Sequence, residues 1–280
     1  MTIPFRNEQV GGMTIEYDVA DFTEPWRKTE PETILLHHGY LRNMEFWRGW
    51  IPPLLRDYRV LRFNSRGCCG TSAPPPGAPY TVEQLVGDAL GLMDKLGIER
   101  VHWVGEYSGG IIGLVAALNH PDRLRSLTVC NTPIKVPEAV AQSYNVGEVD
   151  HATAIEKLGV GGWSRKTLGY RIDLAKASEE MQDWYVREQG KVPKHVAIAH
   201  HLMVCAGDLW SRLAEIKMPM LMIVGGQSPL AQKDQRERLL RDVPNAKVVV
   251  FEGYVHGISL LAPERCAAEL TAFLGQPATR

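Results

Sequence analysis

The sequence lacks any hydrophobic run long enough to cross a bilayer, and it lacks an excess of charge of either sign. Its 280 residues carry a formal net charge of -1 at pH 7, without a run of lysine and arginine. This balance argues against a nucleic-acid or anionic-membrane surface. The first residues, MTIPFRNEQVGG, also lack the apolar core of a signal peptide. We therefore expect a cytoplasmic protein without a nucleic-acid or membrane partner.

Cysteine is scarce, and the arrangement of the five cysteines excludes several classes of site. Their number is odd and no pair has the spacing of a metal site, so we expect reduced thiols, as in cytoplasmic proteins. No glycine-rich segment has the spacing of a phosphate-binding loop. The sequence therefore predicts no metal and no cofactor, and it contains no signal for an oligomeric state.

The remaining composition is that of a globular protein with a sizeable core, since 45% of the residues are hydrophobic and 22% are charged. The length fits one domain with a large insertion. Residues 14–19, TIEYDV, alternate as a strand does. Short apolar runs without clean alternation predict strands that are buried on both faces, as in parallel sheets. These runs cover residues 33–37, 58–63, 101–105, 126–130, 220–224 and 247–251.

Helical signals separate these runs. Apolar residues recur at helical spacing over residues 82–96, and Thr81 with Gln84 forms a capping-box signature at the start. A last helix is predicted from Pro263. Residues 133–218 contain no strand run and many helix formers, with a break at residues 159–162. We predict an α/β fold with a mostly parallel sheet over residues 1–132 and 219–280, interrupted by a helical insertion over residues 133–218.

Five segments, in this order along nearly the whole chain, resemble motifs of the α/β-hydrolase superfamily. They are LLHHGYLRNMEFW, FNSRGCCGTS, VGEYSGG, HPDRLRSLTVCNTP and FEGYVHGISLLAPERCAAELTAFL. The second has Asn64 where aspartate is usual. The third is similar to the nucleophile elbow, which lies between a strand and a helix. The resemblance implies the α/β-hydrolase fold, and it implies that residues 133–218 are the helical cap of that family.

The glycines of the elbow set its register. They flank the nucleophile two residues before and two residues after, and here Gly105 and Gly109 flank Tyr107. Tyr107 therefore stands at the nucleophile position. Its phenol has an ordinary pKa of about 10, and its oxygen lies further from the turn than a serine oxygen. It can act as a nucleophile, donate a proton or hydrogen bond, or simply fill the pocket.

The resemblance also implies an oxyanion hole formed by two backbone N–H groups, those of Tyr40 and Ser108. This role needs no side chain. For the Ser108 hydroxyl we favour a local hydrogen bond at the helix start over the role of a displaced nucleophile.

His256 matches the late catalytic histidine of the family, but its acidic partner is absent from both positions that the family uses. Ser228 stands at the commoner position, and Asn131 stands at the position just after the sixth strand. Asn131 can orient His256, as asparagine does in Cys-His-Asn proteases, but it supplies no negative charge. Four acids are substitutes without motif support: Glu106, Asp150, Asp173 and Asp234. A Ser-His-Asp mechanism cannot be written from these motif positions.

Three hypotheses on function follow. The first is a hydrolase of a small, largely apolar ester, lactone or related carbonyl compound, with His256 as base and with Trp163, Trp184 and Tyr185 lining the pocket. The second is a cofactor-free lyase, isomerase or C–C cleaving enzyme that uses Tyr107 and His256 as an acid–base pair. The third is a catalytically blocked, ligand-binding form in which a serine was replaced by tyrosine, in nature or by design.

Overall fold

Eight strands form one sheet in the computed structural model, which describes residues 3–230 and 232–275. The strands are β1 (Arg6–Val10), β2 (Met13–Ala20), β3 (Thr33–His37), β4 (Arg59–Phe63), β5 (Val101–Glu106), β6 (Leu124–Cys130), β7 (Met220–Gly225) and β8 (Ala246–Phe251). Their order across the sheet is β1-β2-β4-β3-β5-β6-β7-β8. The pairs β1/β2 and β2/β4 are antiparallel, and all the others are parallel. The predicted mostly parallel sheet is confirmed.

Ten α-helices accompany the strands in the described residues. They are α1 (Ile51–Leu54), α2 (Val82–Lys95), α3 (Ser108–Asn119), α4 (Glu138–Ser143), α5 (His151–Arg171), α6 (Glu179–Gln189), α7 (Lys194–Ala206), α8 (Lys233–Asp242), α9 (Ile258–Leu261) and α10 (Pro263–Leu274). Short 3₁₀ helices cover Met44–Trp50, Pro121–Arg123 and Leu213–Glu215. None of the helices in this part of the chain is long and apolar enough to cross a membrane.

The predicted strands all form, within two residues at each end, but β1 has no counterpart among the predictions. Its sequence, RNEQV, is mostly polar and its residues are largely exposed. It lies at the sheet edge and pairs with β2 through the turn at Gly11 and Gly12, both of which have positive φ. An edge strand buries little, and so it leaves no apolar run in the sequence.

The sheet is buried on both faces, which explains its continuous apolar strands. On β5, Trp103 belongs to one hydrophobic cluster and its neighbour Val104 belongs to the cluster on the opposite face. Helix α3 follows β5 directly and ten of its twelve residues are buried. The turn between β5 and α3 is therefore held from both sides by packed core.

The insertion between β6 and β7 consists of helices α4 to α7 and contains no named strand. Helix α5 is kinked at Gly159, which has φ 68° and ψ 162°, at the predicted break. We call residues 133–218 the cap segment. Its status as a separate domain stays a prediction.

Candidate active site

The elbow has the strained geometry that its glycine spacing predicts. Tyr107 has φ 48° and ψ −111°, in a region that is costly for residues other than glycine. Its N–H donates a hydrogen bond to the carbonyl of Cys130, at 3.0 Å. A Cβ at Gly105 would overlap the backbone of Gly109. The turn therefore needs glycine before and after Tyr107, and it fixes the direction of the tyrosine side chain.

A small cavity lies between this elbow and the cap segment. Its lining comes from both parts of the chain: Tyr40, Arg42, Glu106, Tyr107, Tyr144, Arg171, Tyr185 and His256. Its volume is about 10 Å³, which is about the space that one water molecule occupies. An organic substrate therefore fits only if Tyr107 rotates or the cap segment shifts.

Tyr107 is held as a neutral phenol. It is 6% exposed, and burial raises its pKa well above the usual value, with Tyr144 and Cys205 adding to the shift. Its hydroxyl forms no hydrogen bond to any residue that the structure describes. The phenolate needed for nucleophilic attack is therefore unfavourable, whereas the O–H group is available as a donor.

His256 packs edge-on against the Tyr107 ring, with the ring centroids 6.3 Å apart and the planes at 88°. Burial, with smaller contributions from Arg42 and Arg171, lowers the pKa of His256 to about 3. The imidazole is therefore neutral at pH 7. Its Nδ1 has no hydrogen-bond partner within residues 3–230 and 232–275, while its Nε2 lies 3.9 Å from Oε1 of Glu106.

Glu106 is the acid that the fold brings to the site, although no motif singles it out. It ends β5, directly before the elbow residue, and its side chain is buried. Oε1 lies 3.2 Å from Nη1 of Arg42, and neither carboxylate oxygen accepts a hydrogen bond from the described residues. Burial raises the pKa of Glu106, and Arg42 and Arg171 oppose that shift. The other three substitute acids do not line the cavity.

Asn131 and Ser228 stand at the two positions where the family has its triad acid, and neither forms a hydrogen bond to His256 in the described residues. Asn131 has φ 47°, and its Oδ1 accepts a hydrogen bond from the N–H of Gly225, at 3.2 Å. Its Nδ2 has no partner among the described residues, so no hydrogen bond joins it to His256. The Oγ of Ser228 accepts from the N–H of Leu230, at 3.4 Å. Correcting the expected orienting role, the structure shows Asn131 linking the ends of β6 and β7.

The two backbone groups predicted for the oxyanion hole lie on turns that are in direct contact. A Cβ at Gly109 would lie 2.6 Å from the carbonyl oxygen of His38, and a Cβ at Gly39 would overlap the Glu106 carboxylate. The N–H groups of Tyr40 and Ser108 have no acceptor in the described part of the chain. Two N–H donors without an acceptor among the described residues therefore lie on contacting turns. Their role as oxyanion donors stays a prediction.

The Ser108 side chain differs from the expected local bond. Its Oγ lies 3.0 Å from Nε2 of His200, on α7 of the cap segment, and both residues are buried. Ser108 does not line the cavity. Its hydroxyl therefore ties the elbow to the cap segment, because the fold places an imidazole across from it that the sequence gives no reason to expect.

The three aromatic residues predicted for the pocket have different positions. Tyr185 lines the cavity and its hydroxyl accepts from Nη2 of Arg42, at 3.3 Å. Trp163 is fully buried behind the cavity, with its ring 4.8 Å from the guanidinium carbon of Arg171. Trp184 instead lines a separate pocket of about 300 Å³ beside Phe46. Two of the three predicted residues therefore lie outside the cavity.

Comparisons with known proteins agree with this architecture. A family model described as "alpha/beta hydrolase fold" matches residues 32–153. A Caulobacter segnis protein named "Putative carbamate hydrolase RutD" is 27% identical over 261 residues, which cover 89% of this chain and 93% of that protein. The 3-oxoadipate enol-lactonase 2 of Acinetobacter baylyi is 27% identical over 237 residues, covering 84% of this chain and 86% of that protein.

Solved structures share the fold over almost the full chain. A hydrolase from Pseudomonas aeruginosa superposes with a TM-score of 0.84 at 24% identity, covering 97% of this chain and 98% of its own. An enol-lactonase from Burkholderia xenovorans has a TM-score of 0.81 at 24% identity, covering 97% of this chain and all of its own. The predicted fold and hydrolase class are confirmed. The family model, the relatives and the shared fold together support the α/β-hydrolase superfamily.

Proposed function

We propose that this protein hydrolyses a small, largely apolar ester, lactone or related carbonyl compound without a serine nucleophile. One observation carries the proposal: the N–H groups of Tyr40 and Ser108, which have no acceptor among the described residues, belong to two turns in contact. Tyr40 and Tyr107 of these turns line the same cavity as His256. Pairs of fixed N–H donors stabilise the charge that develops on a carbonyl oxygen during acyl transfer. The arrangement thus favours carbonyl chemistry.

In this mechanism water replaces the serine nucleophile. The oxygen of water attacks the carbonyl carbon while neutral His256 accepts a proton from it, and the resulting oxyanion accepts hydrogen bonds from the two N–H groups. When the tetrahedral intermediate collapses, His256 returns the proton to the leaving oxygen. The neutral phenol of Tyr107 is free to donate a hydrogen bond to the bound substrate. The products are a carboxylic acid and an alcohol.

Turnover of a panel of phenyl esters and lactones tests this proposal. We expect His256→Ala to lower kcat/KM by at least about a hundredfold, which is the usual contribution of a general base. His120→Ala is the matched control, because His120 is exposed at the end of α3. No turnover of any ester or lactone by the unmodified protein would overturn the proposal.

The second candidate is a cofactor-free lyase, isomerase or C–C cleaving enzyme. The contact between Tyr107 and His256 favours it, because both groups are neutral and their rings meet edge to face at 6.3 Å. They can therefore act as an acid–base pair. Tyr107→Phe removes only the hydroxyl, so it is expected to abolish such an activity while ligand binding persists. Full activity in Tyr107→Phe would eliminate this candidate.

The third candidate is a blocked, ligand-binding form. The cavity of about 10 Å³ favours it, since the space in front of the elbow is nearly filled. Tyr107→Ser separates this candidate from the first. A gain of hydrolysis where the unmodified protein has none would identify a blocked hydrolase, whereas a loss of existing activity would assign the tyrosine a role of its own.

A further inference from the structure

The cavity in front of the elbow holds more positive than negative charge. Arg42 and Arg171 both line it, and Glu106 is the one carboxylate in its lining. Arg42 is paired with Glu106, with 3.2 Å between Nη1 and Oε1. Arg171 forms no ion pair with any carboxylate in the described part of the chain. The described lining residues therefore carry one more positive charge than negative charge.

The groups in direct contact with the Arg171 guanidinium are neutral. Its side chain is buried, and Nη2 donates to the carbonyl and the hydroxyl of Ser164, at 2.7 and 3.1 Å. Nη1 donates to the side-chain oxygen of Gln189. The guanidinium carbon lies 4.8 Å from the Trp163 ring and 5.2 Å from the Tyr185 ring. Its Nε, also buried, has no acceptor among residues 3–230 and 232–275.

Such an arrangement needs a physical reason. Removing a charge from water costs several kcal/mol unless a partner compensates it, and no carboxylate among the described residues forms an ion pair with Arg171. A guanidinium group that is held in place by neutral groups, with its Nε–H left over, is suited to bind an anion once the cavity opens. A carboxylate oxygen can accept a charge-assisted hydrogen bond from this Nε–H.

We propose that Arg171 binds a carboxylate of the substrate, so that the substrate of this cavity carries one negative charge besides its reacting carbonyl. This inference rests on the proposed function. The charge count favours a monoanion, because Glu106 already compensates Arg42 and only the charge of Arg171 remains. A phosphate dianion would leave the cavity negative.

The position of Arg171 suits this role, because it ends helix α5 close to the catalytic histidine. A Cβ at Gly257, the residue after His256, would lie 2.8 Å from the carbonyl oxygen of Arg171. A carboxylate here would also offset the positive field with which Arg42 and Arg171 lower the pKa of His256. Substrate binding would then make His256 a stronger base at the moment when it is needed.

The binding test compares hexanoate with hexanamide, two probes that differ in charge but hardly in shape. Thermal unfolding and titration calorimetry are measured on the full chain and on Tyr107→Ser, in which the phenol ring no longer fills the cavity. We expect hexanoate to bind about tenfold or more tightly than hexanamide, the usual size of a charge-assisted hydrogen bond. The preference should vanish in Arg171→Met.

Arg165→Met is the matched control, because Arg165 lies on the same helix but is half exposed and pairs with Asp183. Its preference for hexanoate should equal that of the parent chain. If Arg171→Met does not fold by near-UV circular dichroism, Arg171→Lys replaces it, with an expected loss of hexanoate affinity of about tenfold. Equal binding of the two probes in both backgrounds overturns the proposal, as does inorganic phosphate binding as tightly as hexanoate.

A kinetic pair separates this inference from the proposed function. Phenyl hexanoate and the monophenyl ester of adipic acid differ only in a terminal methyl or carboxylate group. Faster turnover of the adipate ester, lost in Arg171→Met, supports both proposals. If neither ester is hydrolysed while hexanoate binding still depends on Arg171, the proposed hydrolysis fails and the carboxylate site stands. If both esters are hydrolysed equally fast and hexanoate does not bind preferentially, the proposed hydrolysis stands and the carboxylate site fails.

Discussion

Mild acid is expected to destabilise this protein, because several buried histidines are held neutral inside it. Three of them are His38 on the turn after β3, His200 on α7 and His256 after β8. Burial is the main cause that lowers their pKa values, to about 4 for His38 and to about 3 for His200 and His256. In the unfolded chain each imidazole titrates near 6.5.

The sign of the effect follows from these values. A depressed folded pKa means that the fold prefers the neutral ring, so the stabilisation is complete above pH of about 6.5 and is lost as the pH falls toward 3 to 4. One pH unit below 6.5, each ring costs about 1.4 kcal/mol, and the three together cost about 4 kcal/mol. Burial raises the pKa values of Glu106 and Asp18, which acts in the opposite direction, whereas the lowered pKa values of His151 and His201 act in the same direction.

Urea unfolding at about pH 7.5 and about pH 5.5 measures the loss, which is large against a typical total stability of about 5 to 15 kcal/mol. His200→Gln keeps a polar partner for Ser108 but removes one titrating ring, so its loss should be smaller than that of the parent by about 1.4 kcal/mol. His120→Gln, at an exposed position, should behave like the parent. Equal stability at both pH values, or equal pH dependence in both variants, would refute the reasoning.

Three further changes test packing and charge. Gly39→Ala places a Cβ against the Glu106 carboxylate and 2.8 Å from the Glu106 carbonyl oxygen, so we expect ester turnover to fall by about tenfold or more. Gly87→Ala is its control: nothing lies within 4 Å of the added Cβ on helix α2, and the unfolding free energy should rise by about 0.5 to 1 kcal/mol. Asp18→Asn removes the carboxylate from its buried pair with Arg62, and urea unfolding should show a loss of about 3 to 5 kcal/mol.

Much of the fold was predictable because burial leaves a local record in the sequence. Strands covered on both faces must be continuously apolar, and β3 is predicted to the residue. The capping box of Thr81 and Gln84 forms as its spacing predicts. The edge strand β1 is polar and therefore has no apolar run from which it could be predicted.

The elbow register was predictable for a similar reason. Backbone crowding at Gly105 and Gly109 excludes any Cβ, and this exclusion is visible as a spacing of glycines. It places Tyr107 at the turn, with φ 48°. The cavity beside Tyr107 has a volume of only about 10 Å³, because residues of the cap segment also line it. No pattern in the sequence near Tyr107 predicts this volume.

The sequence by itself therefore determined seven of the eight strands and the glycine-flanked turn at Tyr107, since each depends on neighbours within a few residues. Only the tertiary structure decided which groups face His256: Glu106 from a strand end, Arg42 from a turn and Arg171 from the cap segment. Charged residues are exposed in most sequence contexts, so nothing local marks the three that become buried together. Their charges interact strongly only when packing removes the water between them. The excess positive charge of Arg171 therefore follows from the tertiary structure and not from the sequence.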